Sequence, residues 1–163
     1  MTTIKKVTTH VVSAAIAWRL GRLEKLWVSI FLTDDEAHGL WIATGVPEER
    51  INRYPEENNY WFSGDVGPCG PNSEIFFDRG PRPATCKFCA GGTCKPNLEP
   101  DCGRFNEVWN LVFMTLYQAE DGTRTDLPRK NIDTGSGLER VAFRPDPRTE
   151  RGDQLLAHGV EWR

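Results

Sequence analysis

Apolar residues recur along this chain in distinct rhythms, each predicting a different element. Val12, Ile16, Leu20 and Leu23 fall at helical spacing, which predicts an amphipathic helix over residues 9–24. The stretch LWVSIFL at 26–32 is short, aromatic and β-branched, and predicts a strand. Behind it, Thr33-Asp34-Asp35-Glu36 reads as a capping box, with the Thr33 hydroxyl on an orphan amide and Glu36 reaching back to the cap. A helix is expected over 34–44, ended by Gly45 in a left-handed conformation. Pro47-Glu48-Glu49 suits the first turn of a second, shorter helix.

Between residues 54 and 103 both rhythms fade. Gly, Pro, Asn and Cys dominate, and SEIFFD at 73–78 is the one clear strand. Residues 105–118 are a long apolar and aromatic run, read as a buried strand. Asp121-Gly122 then predicts a turn that folds 123–127 back as a hairpin. In NIDTGSGLERVAF, at 131–143, a strand-like start meets two glycines and then a helical LERVA. After Phe143 the sequence is polar, rich in Pro and Arg, and aperiodic. The expectation is a mixed α/β segment in three parts: a helical stretch over 1–25, a core over 26–143 with a Cys-rich insertion at 82–103, and a polar tail over 144–163.

Composition narrows the function classes. Six Trp and eight Phe supply large side chains for a core, so wholesale disorder is excluded. A net charge of −3 argues against a basic nucleic-acid arm. The longest apolar-leaning stretch, residues 11–18, falls well short of the roughly 20 residues a membrane-spanning helix needs. Lys5 and Lys6 before a weakly apolar segment imitate a signal peptide only loosely, since no small-residue cleavage site follows. A cytosolic location is expected.

The cysteines agree with a reducing compartment. Four of the five, Cys86, Cys89, Cys94 and Cys102, crowd into one glycine-containing stretch, which suits a structural Zn2+ better than a disulfide framework. The CxxC is single, and the plain alternative is an insertion with incidental reduced thiols. Cys69 stands apart, and His10, His38 and His158 show no ligand spacing.

Three other constellations carry possible chemistry. In Gly135-Ser136-Gly137-Leu138-Glu139-Arg140 the glycines allow close backbone approach to a ligand, and Arg140 offers a fork for phosphate. In GDVGPCGPNSE, at 64–74, glycines and prolines predict a stiff loop bearing Asp65, Ser73 and Glu74, beside the flat aromatic pair Tyr60-Trp61. Asn110 and Asp133 are polar residues within apolar runs. If buried they must find partners, and an Asp on a pocket floor is a natural partner for an ammonium.

Four segments, SIFLTDDEAHGLW, NNYWFSGDVGPCGPNSEIFFDRG, FNEVWNLVFMTLYQ and NIDTGSGLERVA, together resemble the catalytic core of alanyl-tRNA synthetases, class II aminoacyl-tRNA ligases. The resemblance runs from Leu26 to Ala142, and GSGLER is similar to the third class II signature motif. It implies a partial class II catalytic fold, an antiparallel sheet flanked by helices. It further implies that Trp61 packs beside the alanine methyl and the adenylate, and that Asn110 and Val112 line the amino-acid pocket. Asp133 would hold the ammonium, the Gly135 backbone would approach the substrate, and Gly137 and Arg140 would bind ATP. Glu107 and Val108 would lie near adenine or ribose. The implied chemistry is ATP-dependent activation of alanine, with Mg2+ on the phosphates, and acyl transfer to tRNA(Ala).

The family's first two signature motifs lie upstream of the resembling region, and residues 1–25 match neither. Its tRNA-binding and editing regions lie downstream. The expectation is therefore an alanine–tRNA ligase fragment lacking part of its ATP clamp, and the competing reading is a non-catalytic binding module that keeps the alanine pocket. Asn72 also stands where many relatives carry a second cysteine after GPCGP.

Overall fold

Leu26, Val28 and Ile30 alternate with Trp27, Ser29 and Phe31 along the first strand, β1 (Leu26–Phe31), so one face is apolar and the other mixed. That alternation organises the whole molecule. The structure, a computed structural model, describes residues 23–82, 84–98, 102–137 and 140. The helix expected over 9–24 (apart from its last two residues), the LERVA turn other than Arg140, the tail after Phe143, His10 and His158 lie outside the described residues.

After β1 come helix α1 (Asp35–Ala43), strand β2 (Ile51–Tyr54), the single-turn helix α2 (Glu56–Asn59) and strand β3 (Tyr60–Phe62). Strand β4 (Gly67–Asp78), the single-turn helix α3 (Lys87–Ala90), and the long hairpin β5 (Phe105–Gln118) and β6 (Arg124–Ser136) complete the order. The six strands form one sheet in the order β2-β1-β4-β5-β6. β3 lies along β4 beyond the end of β1, with Trp61 opposite Gly70. Only β1 and β2 run parallel, as their connection through α1 requires. The sheet is otherwise antiparallel and carries helices, as the resemblance implied.

α1 covers one face. Trp41 and Ala37 pack on Leu26, Val28, Ile30, Ile75, Phe77, Leu111 and Phe113, all nearly solvent-free. Burial of such side chains stabilises by about 1.5–3 kcal/mol each. The Trp41 indole N–H, which would otherwise be stranded in this core, donates to Ser73 Oγ at 3.2 Å.

Four local expectations change. The N-cap of α1 is Asp34, not Thr33: its Oδ1 accepts from the Ala37 amide at 2.9 Å. A carboxylate also suits the positive helix end better than a hydroxyl does. The second helix expected after Pro47 is one 3-10 turn, Glu48–Arg50, because Ile51 is drawn into the core opposite Val28 as β2 begins. At the end of α1, Gly45 does take a positive φ of 91°.

The third change concerns GPCGPN, which belongs to strand β4 rather than to a loop. Gly70 makes this feasible: a Cβ there would lie 2.1 Å from the Phe113 carbonyl oxygen, so only glycine lets β5 approach. The Pro68 carbonyl accepts from the Ser63 amide, and Pro71 sits at the β3 pairing, where its missing N–H is tolerated. Fourth, the hairpin strand does not end near Leu127 but runs on through Ser136. A register irregularity between Met114 and Leu116 absorbs the segment containing Pro128.

Candidate functional site

The face of the sheet turned away from α1 is polar where the other is apolar. Cross-strand partners share a face, and the register lines up Ser29 with Glu74, Glu74 with Asn110, and Asn72 with Val112. Across the next pair, Asn110 faces Gly135 and Val112 faces Asp133. One central strand, β5, and its neighbour β6 thus bring Asn110, Val112, Asp133 and Gly135 into one patch. Trp61, half-buried opposite Gly70, falls by alternation on the same face.

Asp133 is exposed rather than buried, contrary to the burial considered from sequence, because among the described residues β6 is paired on one edge alone. Its carboxylate accepts from the Thr134 amide at 2.8 Å and stays open to solvent. Among the described residues, chain neighbours aside, no atom lies within 4 Å of where a Cβ on Gly135 would be, so its backbone is open on that side. Val112 is largely buried and presents a small apolar surface between the polar residues.

Behind this patch runs a chain of hydrogen bonds that the sequence did not announce. Ser29 Oγ donates to Glu74 Oε2 at 3.0 Å, and Asn97 Nδ2 donates to the same oxygen at 3.0 Å. Asn59 Nδ2 donates to Ser29 Oγ at 2.9 Å and to Asn72 Oδ1 at 3.3 Å. Asn72 Nδ2 donates to Asn110 Oδ1 at 3.2 Å. Ser29, Asn59 and Asn72 are buried, and Asn59 Oδ1 has no partner among the described residues. Leaving it so costs about 1–3 kcal/mol. Burial pushes the Glu74 carboxyl up, and the nearby Glu107 adds to this, against the lowering by Asn97 and Ser29. The sequence signal that could have found this chain is the period-2 recurrence of polar residues within apolar strands: Ser29, then Asn72 and Glu74, then Asn110.

Arg140 reaches the same face. Its Nη1 donates to the Glu107 carbonyl at 3.2 Å and to Glu107 Oε2 at 3.3 Å. Both side chains are substantially exposed, so the pair adds little stability and is free to exchange partners. Val108 is the extra residue of a β-bulge between Ile75 and Phe76, and its side chain points into the core. Only its backbone is left for a ligand. Gly137 follows the end of β6 directly.

The Cys-rich insertion closes on itself. The Sγ atoms of Cys86, Cys89, Cys94 and Cys102 all lie within 4.8 Å of one another, three of the residues are buried, and none is in a disulfide. Cys89 and Cys94 stand 3.8 and 3.7 Å from Cys102, sulfur to sulfur. A tetrahedral zinc with Zn–S bonds of about 2.3 Å requires sulfur separations of about 3.8 Å, so the donor set fits this ion. The Cys89 amide donates to Cys86 Sγ, and Gly92 turns the loop at a φ of 71°. Burial raises the Cys89 thiol, but a backbone hydrogen bond at Arg82 and the three neighbouring thiols outweigh it and bring Cys89 down to about 7. Burial and the adjacent sulfurs push Cys94 up. Cys69 is buried elsewhere, near the Tyr60 hydroxyl.

Three ties fasten this insertion to the sheet. Besides Asn97 on Glu74, the Tyr54 hydroxyl donates to the Pro96 carbonyl, and the Arg104 fork grips Asp78 at 2.8 and 2.7 Å. Burial, with Cys94 adding, pushes the Tyr54 phenol up to about 12. Asn97 holds a left-handed φ of 56°, which asparagine tolerates better than most residues. No described helix is long and apolar enough to cross a membrane.

Comparison with known proteins gives a consistent picture. The family model described as tRNA synthetases class II (A) matches residues 16–148. An alanine–tRNA ligase of Oleidesulfovibrio alaskensis is 54% identical over 120 residues, 73% of this chain and 13% of that protein. One of Parvibaculum lavamentivorans is 51% identical over 119 residues, again 13% of its length. One of Leptospira borgpetersenii is 47% identical over 121 residues, 74% of this chain and 13% of the relative. The chain thus spans a small part of the length of these relatives.

Proposed function

Because the chain belongs to the class II (A) family of tRNA synthetases, we propose that its polar sheet face binds alanine and MgATP as part of an alanine–tRNA ligase. The observation that carries this reading is the pairing of Asn110 with Gly135 and of Val112 with Asp133. It sets an ammonium acceptor, a small apolar wall, an amide and an open backbone side by side.

In this reading the Asp133 carboxylate holds the alanine ammonium, and Val112 and Trp61 bound the space for the methyl. Asn110 and the Gly135 backbone meet the carboxylate end. Arg140 leaves Glu107 for a phosphate, a fork-to-anion contact stronger than its exposed ion pair. Glu107, the Val108 backbone and Gly137 border the nucleotide. The alanine carboxylate oxygen attacks the ATP α-phosphorus, the bond to the β-phosphate oxygen breaks, and pyrophosphate leaves. A terminal ribose hydroxyl of tRNA(Ala) then attacks the acyl carbon, the bond from that carbon to the phosphate oxygen breaks, AMP leaves, and the hydroxyl proton passes to the departing phosphate or to water. No protein nucleophile is required, and catalysis rests on positioning and charge stabilisation. The four-thiol cluster of Cys86, Cys89, Cys94 and Cys102 holds a structural zinc, which orders the insertion when bound. The location is the cytoplasm, where such thiols stay reduced.

The test is titration of the folded chain with alanine, glycine and serine, followed by alanine-dependent ATP–pyrophosphate exchange. Alanine binds best, and Asp133→Ala weakens it at least tenfold, the loss of a charged hydrogen bond. Binding without exchange supports the binding-module reading. A folded chain that ignores ~10 mM alanine, beyond the usual upper range of KM, overturns the proposal.

A further inference from the structure

The hydrogen-bond chain behind the patch has a direction, and that direction decides which end of the Asn110 amide meets a ligand. An ionised carboxylate only accepts, whereas Ser has a single proton to donate and Asn has both a donating and an accepting end. Glu74 Oε2 takes the Ser29 proton, so Ser29 Oγ can only accept from Asn59. Asn59 must therefore turn its NH2 toward Ser29, and the second hydrogen of that NH2 meets Asn72 Oδ1. Asn72 then has its NH2 on the side of Asn110 and Glu74, and donates to Asn110 Oδ1. What remains of Asn110 is its own NH2, which has no partner among the described residues and lies on the open face.

The orphaned Asn59 Oδ1 supports this ordering. Reversing that amide would aim its oxygen at Ser29 Oγ, whose proton is already given to Glu74, and at Asn72 Oδ1, an oxygen against an oxygen. One unpaired carbonyl is what the imposed direction leaves over. Asn97, the second donor to Glu74 Oε2, comes from outside the sheet and holds the carboxylate in place.

We infer that Glu74, Ser29, Asn59 and Asn72 are positioning residues that present the Asn110 NH2 to an oxygen acceptor of the bound amino acid, its carboxylate or, after activation, its acyl carbonyl. The inference rests on the reading of this face as the alanine site. It makes the patch selective for ligands with an acceptor at that position. A ligand with a hydroxymethyl group in place of the carboxylate loses the charge-assisted half of the contact.

The experiment compares alanine with alaninol by competition titration on the full chain, in the wild type and in Asn72→Leu. The wild type prefers alanine at least tenfold, as expected for a hydrogen bond to a charged group. In Asn72→Leu the Asn110 amide turns freely, and the preference shrinks several-fold through weaker alanine binding, with alaninol nearly unchanged. An equal loss for both ligands, or an unchanged ratio, overturns the inference by reducing Asn72 to packing. If Asn72→Leu does not fold, Ser29→Ala interrupts the chain nearer its origin and should shift the ratio the same way.

A second measurement needs no ligand. Water-to-amide exchange read by NMR should find the Asn110 side-chain NH2 exchanging fast and those of Asn59 and Asn72 protected. A protected Asn110 NH2 overturns the direction assigned here. Failure of the wild type to bind alanine, with the exchange pattern as expected, overturns the reading of the site but not the direction of the chain.

Discussion

Asp78 and Arg104 show how a single pair joins two parts of the molecule. Asp78 ends β4, and Arg104 lies just before β5 at the exit of the Cys-rich insertion. Their two-pronged contact is about 15% exposed on each side, so it is shielded from solvent as most surface pairs are not. Burial alone would raise the Asp78 carboxyl, but the Arg104 fork and the Gly80 amide more than offset it and hold the group below its ordinary value. A carboxyl lowered in the folded state stabilises above its unfolded pKa, about 3.9, and that stability drains away as pH falls through the folded value. Asp78→Asn should therefore cost about 2 kcal/mol near neutrality. In urea unfolding the gap between wild type and variant should be full at pH 7 and narrower at pH 3, below the unfolded pKa. A gap undiminished from pH 7 to pH 3 would show that charge is not the source.

At the scale of elements, the Cys-rich insertion and the sheet depend on each other unequally. The sheet has its own apolar core under α1, whereas the insertion is built on a four-residue helix and four sulfurs. Removing zinc should open residues 86–98 and leave the strands standing. Trypsin reports this directly: Lys87 and Lys95 resist cleavage in the metal-loaded chain, and both are cut after chelation or in Cys94→Ser while the sheet fragment survives. Equal resistance with and without metal would mean the thiols pack without an ion. These elements were unequally legible in the sequence. β1, α1 and β5 could be read directly, because alternation and helical spacing are local signals. β4 could not, since its glycines and prolines carry loop propensity and only the close approach of Phe113 at Gly70 explains a strand there. Trp61, Asn110, Asp133 and Arg140, which the proposed pocket uses, stood out in the sequence as odd polar or aromatic positions and through family motifs. Asn59 and Asn97 did not, because they act on Ser29 and Glu74, 30 and 23 residues away.

Across the whole molecule, the proposed site is split between its most and least anchored strands. β4 is hydrogen-bonded on both edges along most of its length, and β5 lies beside it with buried Leu111 and Phe113. Among the described residues β6 pairs with β5 alone, and it has mostly exposed side chains and an irregular register around Pro128. Asn110 and Val112 thus sit on a strand paired on both edges, while Asp133 and Gly135 sit on one paired, among the described residues, on a single edge. Local opening free energies differ along such a sheet, so amide hydrogen exchange should be slowest in β4 and β5 and fastest in β6. A ligand bridging the two strands must close β6 onto β5 and is linked to that opening. At a ligand concentration a hundred times Kd, the coupling reaches about 2.7 kcal/mol, which slows exchange at residues 131–136 by about a hundredfold while β4 is unaffected. Exchange that slows only in β5, or a β6 that outlasts β4 without ligand, would mean that the edge strand takes no part in binding. The expected result would make the β5–β6 pairing, already present at Asn110 and Gly135, the part of the proposed pocket that a bound ligand holds closed.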